Sequence, residues 1–384
     1  MFLRDRAFRN PVPKWAISEL NPWPFGETLD ATRQLAARCE DKNTAPASRL
    51  APGADSFRGT CVRHVVLIYN PASGQHSSGR RAAIDKALAV LREAGVEAEA
   101  LETLGPGSAG ELAKEAMRRG CDTILACGGD GTVHEVLQSL VGSTVALGVV
   151  PLGTANALAA NLGLHSSPAK TVRKLLDATL VRVSVGQISY RDTTGAAASR
   201  YFTVTAGVGA DALFLSRLDP GLKRRFGYIL YLVEGFRIWA THSFPLFEAA
   251  FVESASGNSR SANGQPRIEQ ISQLLAVRIR DFGGVLHHLA PGATLRRDNL
   301  RLVAFKTRSR LSYFRFLLAV IFCRQSFSRE IELLDAVSVE CRPLDGSSPR
   351  IFAEADGELL GYLPVRIEIV PQAVTLLIPP NARP

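Results

Sequence analysis

A glycine-rich run at residues 128–132, Gly-Gly-Asp-Gly-Thr, is the part of this chain best suited to chemistry. It follows an apolar segment, 123–127, and opens an amphipathic segment, 133–140, which is the order of a strand, a turn and a helix. Glycines let the backbone approach a ligand closely, and the N–H groups at a helix start favour an anion. Because Asp130 would repel a phosphate, its presence indicates a metal ion or a proton transfer. The run therefore predicts phosphate chemistry.

Two further apolar segments, 64–69 and 145–150, also end in loops rich in small polar residues, at 70–74 and 151–156. The carboxyl ends of parallel strands meet at one edge of a sheet, and open α/β sheets bind ligands there. Ordinary connections are small and polar too, so one such loop would carry little weight. Three of them, one holding Asp130, predict a nucleotide site.

The three motifs, in this order, resemble the diacylglycerol kinase catalytic domain family, which includes bacterial lipid kinases, sphingosine kinases and ceramide kinases. The likeness runs from about His64 to the C-terminus. A glycine-aspartate turn alone is shared with NAD kinases and phosphofructokinases, but the sequence lacks a second glycine-rich acceptor motif and the sugar-phosphate motifs. The motif residues are Asn70, Pro71, Ser73 and Gly74, then Gly128 to Thr132 with His134-Glu135-Val136, then Pro151, Gly153, Thr154 and Asn156.

Hydrophobic periodicity divides the chain into two predicted domains after a flexible extension at 1–60. Residues 61–180 predict a doubly wound α/β domain of four strands, in which a capping box at Ser108 and Glu111 opens a helix. Residues 181–370 predict an all-β domain. The resemblance implies that this second domain is a β-sandwich and that a final strand, within 371–384, returns to the first domain. The predicted later strands are 181–188, 201–205, 247–252, 274–279, 300–305, 331–339, 365–369 and 374–378, with one helix at 222–239.

Composition indicates the surroundings in which the protein works. The formal net charge is +9 over 384 residues, and the sequence carries no nucleic-acid motif, so anionic membrane is the expected partner of the excess charge. The six cysteines are scattered, which fits a reducing cytosol. The longest apolar stretch, 316–323, is far shorter than the ~20 residues that cross a bilayer. We therefore expect a cytoplasmic protein that associates peripherally with membranes; a homodimer is left open.

The resemblance implies an ATP and Mg²⁺ site built mainly from these loops. Thr103, after the second strand, matches a family position beside the nucleotide, and Arg225 matches a basic residue that reaches nucleotide phosphate. Arg80 and Arg81 are weaker candidates for phosphate contacts. The predicted nucleotide-binding residues are Asn70, Pro71, Ser73, Gly74, Thr103, Gly128, Gly129, Gly131, Thr132, Gly153, Thr154, Asn156 and Arg225.

Phosphoryl transfer to an alcohol also needs a base and a carboxylate for the metal. Asp130 is the first candidate, as base or metal ligand. The second cluster is Asp356-Gly357-Glu358, which by itself reads as a hairpin turn. The resemblance makes Asp356 a candidate base and Glu358 a candidate metal or phosphate-network ligand. The sequence does not decide between Asp130 and Asp356 as the base.

For the lipid acceptor, the resemblance aligns Asp211 with an aspartate that meets the lipid head group in sphingosine kinases. A role as a helix N-cap is an equally good interpretation of this residue. Two positions depart from the bacterial pattern. Ala157 follows Asn156 where many members have aspartate, and Leu302 stands where diacylglycerol kinases carry an aspartate of a second, structural metal site.

Together these features predict an ATP- and Mg²⁺-dependent lipid kinase that phosphorylates a membrane lipid, with diacylglycerol ahead of a sphingoid long-chain base. A catalytically inactive lipid- or nucleotide-binding regulator is the remaining alternative. Loss of the carboxylates would have favoured it, yet Asp130, Asp356 and Glu358 are all present.

Overall fold

A computed structural model of the chain describes residues 62–74, 79–192, 194–217, 237, 239–253, 266–282, 289–321, 329–344, 350–380 and 382. The predicted extension at 1–60, Arg225 and most of the predicted helix at 222–239 lie outside the described residues.

The N-terminal half folds as alternating strands and helices, as the periodicity predicts. Four parallel strands lie in the order β2-β1-β3-β4. They are β1 (His64–Tyr69), β2 (Glu97–Glu102), β3 (Thr123–Gly128) and β4 (Ala146–Pro151), and the helices are α1 (Arg80–Glu93), α2 (Ser108–Arg118), α3 (Asp130–Leu140), α4 (Ala157–Asn161) and α5 (Pro168–Leu176). Strands β1 and β3 are buried along almost their whole length because helices cover both faces of a parallel sheet.

The C-terminal half consists mainly of antiparallel strands around a second apolar cluster. The strands are β5 (Thr179–Arg191), β6 (Ala197–Phe202), β7 (Thr205–Val208), β8 (Phe247–Glu253), β9 (Arg267–Ile271), β10 (Gln273–Val277), β11 (Leu300–Phe305), β12 (Ile331–Pro343), β13 (Phe352–Ala355) and β14 (Glu358–Ile378), and the helices are α6 (Ala210–Arg217) and α7 (Arg310–Ile321). The fold class, α/β followed by a β-sandwich, is confirmed.

The long strand β14 joins the two halves. Its beginning pairs with β13 and its middle with β12, whereas Thr375 and Leu376 near its end pair in parallel with Ala146 and Leu147 of β4. It pairs with β5 over most of its length. The loop that precedes β14 is therefore anchored to the sheet that carries the three glycine-rich loops.

Several predictions about individual elements were wrong. Ser108 is the first residue of α2 and makes no capping bond; its hydroxyl accepts the N–H groups of Leu104 and Gly105, and Glu111 pairs with Lys114. The segment 201–205 belongs to two strands, and 365–369 and 374–378 belong to the single strand β14. Strands β9 and β13 and helices α5, α6 and α7 were not predicted.

Two further observations concern the apolar helices and the cysteines. None of the described helices combines the length and the apolar character needed to cross a bilayer. Cys121, Cys127 and Cys341 are buried thiols that are not in disulfides, and burial raises the pKa of Cys121 to about 11. They act as small core residues.

Candidate active site

The three predicted loops lie side by side at the carboxyl ends of β1, β3 and β4. The strand order reverses between β1 and β3, because β2 lies on one side of β1 and β3 on the other. Loops 70–74 and 128–132 flank this switch point, which is where open α/β sheets bind ligands. The predicted juxtaposition of the loops is therefore present in the fold.

Glycines allow these loops to touch. A Cβ on Gly153 would stand 2.5 Å from the Cα of Gly129, and a Cβ on Gly74 would stand 2.5 Å from the carbonyl oxygen of Leu152. The guanidinium of Arg80 donates to the carbonyls of Ser73 and Leu152, so it fastens the first loop to the third. Larger residues at Gly74 or Gly153 would push the loops apart.

Asp130 begins α3 and faces the third loop. Its Oδ2 accepts the N–H of Asn156 at 2.9 Å, and its Oδ1 accepts the N–H of Ala157 at 2.7 Å. Asn156 has a left-handed backbone, with φ 52°, which turns both N–H groups toward the carboxylate. Burial raises the pKa of Asp130, those two N–H groups oppose the shift, and the charge of Asp356 adds to it.

Asp356 comes from the far end of the chain but lies close to Asp130. Its carboxylate accepts three backbone N–H groups, from Thr203 at 3.0 Å, Val204 at 2.9 Å and Thr205 at 3.0 Å. The side chain is only 5% exposed. The hairpin turn at Asp356 and Gly357 is real, since both have positive φ, and it aims the carboxylate inward at these donors.

His134 on α3 bridges the two carboxylates of this turn. Its Nδ1 lies 3.5 Å from Asp356 Oδ2 and its Nε2 lies 3.7 Å from Glu358 Oε2. Burial opposes the charged form of His134, but the hydrogen bond and charge of Asp356, together with the charge of Glu358, raise its pKa. The sequence analysis cited His134 only as part of a motif; its position one helical turn after Asp130 could have signalled this role.

Glu358 lies over the glycine-rich turn. The point where a Cβ on Gly131 would stand is 3.8 Å from Glu358 Oε1, and nothing else is near it. The Glu358 side chain is 43% exposed, in contrast to Asp356. The open space above Gly131 is thus bordered by Glu358 and by the start of α3.

Asp211 lies in the first turn of α6, deep beside Glu354 of β13. A Cβ on Gly207 would overlap with Asp211 Oδ2 and stand 3.0 Å from Glu354 Oε1, so the missing side chain makes room for two carboxyl groups. Burial raises the pKa of Asp211 to about 7. Glu354 was not singled out from the sequence, and its place two residues before Asp356 was the available signal.

The other predicted residues occupy places of several kinds. Asn70 accepts the N–H of Ala72 in a turn, Thr103 is buried at the end of β2, and Arg81 pairs with Asp85 and the Tyr69 hydroxyl, away from the loops. Leu302 is buried in the apolar core of β11. The remaining nucleotide candidates lie within the three loops: Pro71, Ser73, Gly74, Gly128, Gly129, Gly131, Thr132, Gly153, Thr154 and Asn156.

These residues fit a polyphosphate and a hard cation. The start of α3 suits an anion because its N–H groups are unpaired within the helix, and the space beside Gly131 is open, with Glu358 Oε1 at 3.8 Å from the position of a Cβ there. Within the described ranges, no three His, Cys, Asp or Glu side chains could hold a metal ion by themselves. Mg²⁺ needs only one or two carboxylates when substrate phosphates complete its shell. Asp130 and the exposed Glu358 are placed to supply them.

Two family models match the chain. One, the diacylglycerol kinase catalytic domain, covers residues 64–188, and the other, the YegS C-terminal NAD kinase beta sandwich-like domain, covers 258–378. The chain thus carries a segment, 64–188, that matches the diacylglycerol kinase catalytic domain. The predicted resemblance is confirmed.

Individual relatives agree with these two domain matches. The chain is 32% identical over 180 residues to a Bacillus subtilis (strain 168) protein named diacylglycerol kinase, which covers 45% of this chain and 55% of the relative. It is 27% identical over 331 residues to a protein of that name from Mycobacterium tuberculosis (strain ATCC 25618 / H37Rv), covering 85% and 98%. The alignment thus spans only about half the length of the Bacillus relative.

A solved structure supports the fold. The crystal structure of a diacylglycerol kinase from Bacillus anthracis str. Sterne superposes with a TM-score of 0.60 at 18% identity, covering 85% of this chain and 100% of that one. At this level of identity the likeness establishes the shared fold.

Asp130→Asn tests whether this carboxylate does chemistry. We expect kcat to fall at least about 100-fold, because an amide can neither accept the proton nor bind a cation as a carboxylate does. The amide also loses one of the two backbone bonds, while relief of burying a charge offsets part of that cost. The thermal midpoint should therefore change little.

Asp122→Asn is the matched control. Asp122 also accepts two backbone N–H groups, from Arg63 and His64, but it lies at the opposite end of β3. It should share any small change in stability and keep full activity. Near-normal turnover in Asp130→Asn would remove Asp130 from the mechanism.

Proposed function

We propose that this protein is an ATP- and Mg²⁺-dependent lipid kinase that transfers the γ-phosphate to the hydroxyl of a membrane lipid, diacylglycerol first. The observation that carries the proposal is the meeting of Asp130, His134, Asp356 and Glu358 at the glycine-lined edge of the sheet. A phosphate-binding edge with carboxylates from both halves of the chain is what phosphoryl transfer to an alcohol requires. The match to the catalytic domain of this family supports the same activity.

The two candidate bases differ in what surrounds them. Asp356 already accepts three backbone N–H groups and is nearly inaccessible, so its carboxylate is well placed to hold the turn and poorly placed to meet a substrate. Asp130 is partly exposed beside Gly131, at the open part of the site. We therefore assign proton acceptance from the lipid hydroxyl to Asp130 and positioning to Asp356.

The nucleotide would lie along the three loops. Backbone N–H groups at the start of α3 would bind its phosphates, and the open space beside Gly131 would let them approach the backbone, while Gly153 and Gly129 let the loops pack together. Bound Mg²⁺ would neutralise phosphate charge; with Asp130 assigned as the base, Glu358 would be its protein ligand and phosphate oxygens would complete its shell. His134, which lies on α3, would hold the side chains of Glu358 and Asp356 in position against that helix.

A sphingoid long-chain base is the second candidate acceptor, and Asp211 is the observation that favours it. The Asp211 oxygens are buried and have no partner in hydrogen-bond geometry among the described residues. An ammonium next to the reacting hydroxyl would compensate such a carboxylate. Diacylglycerol stays first because the same oxygens can accept a hydrogen bond from a neutral hydroxyl.

A radiolabelled-ATP assay on both lipids tests the acceptor. We expect wild type to prefer diacylglycerol, and Asp211→Asn to lose roughly 10- to 100-fold in kcat/KM on both lipids, since a hydrogen bond to a charged group contributes about 1.5–3 kcal/mol. If wild type prefers the amine and Asp211→Asn loses activity only on the amine, the order of the candidates is reversed. No transfer to any lipid in a broad panel would reject the proposed function.

A lipid kinase must also reach its substrate in a bilayer, and α7 offers a surface for this. Leu311, Phe314 and Leu317 lie along one side of α7 and are 63%, 43% and 46% exposed. Arg310 and Arg315 on the same helix are also exposed. Apolar side chains among arginines are the composition of a segment that lies in the membrane interface. We propose that α7 docks on an anionic bilayer.

Vesicle sedimentation tests this docking. We expect the protein to bind anionic vesicles and to be released by salt, because each basic residue near such a surface contributes about 1 kcal/mol. The double variant Leu311→Ser/Phe314→Ser should weaken binding. The control Leu104→Ser, at a leucine that is 94% exposed in the α/β half, should not. A protein that stays in the supernatant at low salt would contradict the docking surface.

A further inference from the structure

The carboxyl groups of Asp211 and Glu354 form a pair, and only Asp211 has a role in the function proposed above. Their oxygens Oδ2 and Oε1 both lie close to one point, the position of a Cβ on Gly207, so they are near neighbours. Glu354 is 3% exposed, and each Asp211 oxygen is shielded from solvent. The glycine makes the pairing possible, since any side chain at Gly207 would displace both groups.

The surroundings of this pair differ from those of the other carboxylates. Asp130 and Asp356 accept two and three backbone N–H groups, whereas Glu354 accepts one, from Gly357 at 3.0 Å, and Asp211 accepts none in good geometry. Of the described residues, no lysine, arginine or histidine forms an ion pair with either group. Two negative charges in such a place would repel each other with little compensation.

Among the described residues, the titratable groups that face the pair disfavour a second charge. Burial raises the pKa of Glu354 well above its ordinary value, and the charges of Asp211 and Asp356 add to the shift. Burial likewise raises the pKa of the Tyr313 hydroxyl on α7, with the charge of Asp211 adding to it. Among the described residues, the groups that favour ionisation are backbone N–H groups, that of Gly357 for Glu354 and those of Asp211 and Ala212 for Asp211.

The pair lies between the catalytic turn and the proposed membrane surface. Glu354 reaches the turn through the N–H of Gly357. On the other side, the hydroxyl of Tyr313 is 2.8 Å from Ser272 Oγ, and its ring stacks on Phe244 at 4.1 Å and Phe305 at 4.7 Å. Tyr313 belongs to α7, the helix that carries the exposed Leu311, Phe314 and Leu317, so a lipid head entering past α7 would arrive near Asp211.

Resting on the function proposed above, we propose that Glu354 is a positioning residue of the acceptor site, which shares one proton with Asp211. The proton lies on Glu354 and is donated to Asp211 as a hydrogen bond. The pair then presents a single negative charge, and the remaining lone pairs of Asp211 accept the hydrogen bond of the lipid head group. Glu354 does not touch the reacting atoms; it sets the charge of the group that does.

Thermal unfolding without substrate tests the shared proton. A carboxyl whose pKa is raised in the folded protein stabilises it at acid pH, and this stability is lost as pH rises from the unfolded value through the folded one. Glu354→Gln cannot ionise, so its melting temperature should rise relative to wild type between about pH 5 and pH 8. Glu354→Asp, which can ionise, should follow wild type. The exposed control Glu93→Gln should show no pH-dependent difference.

Lipid kinetics test the positioning role. In wild type, KM for the lipid should increase at alkaline pH as the second carboxyl ionises, whereas in Glu354→Gln this increase should disappear and the pH profile of kcat should keep its shape. Glu354→Asp should restore the alkaline increase. A purely structural Glu354 would instead change KM equally at every pH, and that result would overturn the proposal.

The two experiments separate this inference from the proposed function. Suppose that the melting temperature of Glu354→Gln exceeds that of wild type by an amount that grows with pH, but the protein phosphorylates no lipid. This result would support the shared proton and reject both the kinase function and the acceptor role. Lipid phosphorylation with a flat melting difference would reject the shared proton and leave the kinase intact. If Glu354→Gln fails to fold, infrared spectroscopy of wild type and of Asp211→Asn tests the shared proton instead, through the band of a protonated carboxyl group. The absence of this band from wild type at neutral pH contradicts the proposal.

Discussion

The Asp356 carboxylate and the three consecutive backbone N–H groups of residues 203–205 form the interaction on which the site depends. Three N–H donors supply a buried carboxylate with the hydrogen bonds that it loses from water. The same carboxylate lies 3.5 Å from His134 on α3, so it joins the start of β7, the turn before β14 and a helix of the α/β half. Without this carboxylate, the orientation of the Glu358 side chain would not be fixed, and the turn would lose the contact that holds it against α3.

The long strand β14 makes this interaction possible. It starts at the turn that carries Asp356 and Glu358 and ends beside β4, so one continuous strand connects Glu358 to the N-terminal sheet. A carboxylate from the C-terminal end of the chain can thus act at the edge of an N-terminal sheet. The same arrangement places two pairs of carboxyl groups at different depths below the protein surface. The exposed Glu358 and the partly exposed Asp130 lie at the edge that we propose binds phosphate, whereas Glu354 and Asp211 lie buried where we propose that the acceptor binds. Opposite local surroundings let carboxylates of similar chemistry carry different charges.

Much of this could be predicted from the sequence, because the signals were local. Glycine loops after apolar strands specify the nucleotide edge, and alternating periods specify the order of α/β and β elements. Ser108 was misread because a capping motif does not show which residue begins the helix, and Gly107 took the N-cap position. The spacing of His134 from Asp130 and of Glu354 from Asp356 hints that these residues matter, but their partners lie more than 140 residues away, so their contacts could not be predicted from the sequence. Strand β14 was split in two because Pro371 and Gln372 interrupt its period, while pairing with β5 resumes beyond them.

The central claim is that Asp130 and Asp356, from opposite ends of the chain, act in a single phosphoryl-transfer centre. The most direct test compares kcat for diacylglycerol phosphorylation in Asp130→Asn, Asp356→Asn and the double variant, with nucleotide binding measured in each. Residues that act as one unit show strongly non-additive losses. We predict that the double variant is no slower than the slower single variant by more than about tenfold. Losses that multiply fully, so that each substitution costs the same factor with or without the other, would show that the two carboxylates act independently and would contradict the account.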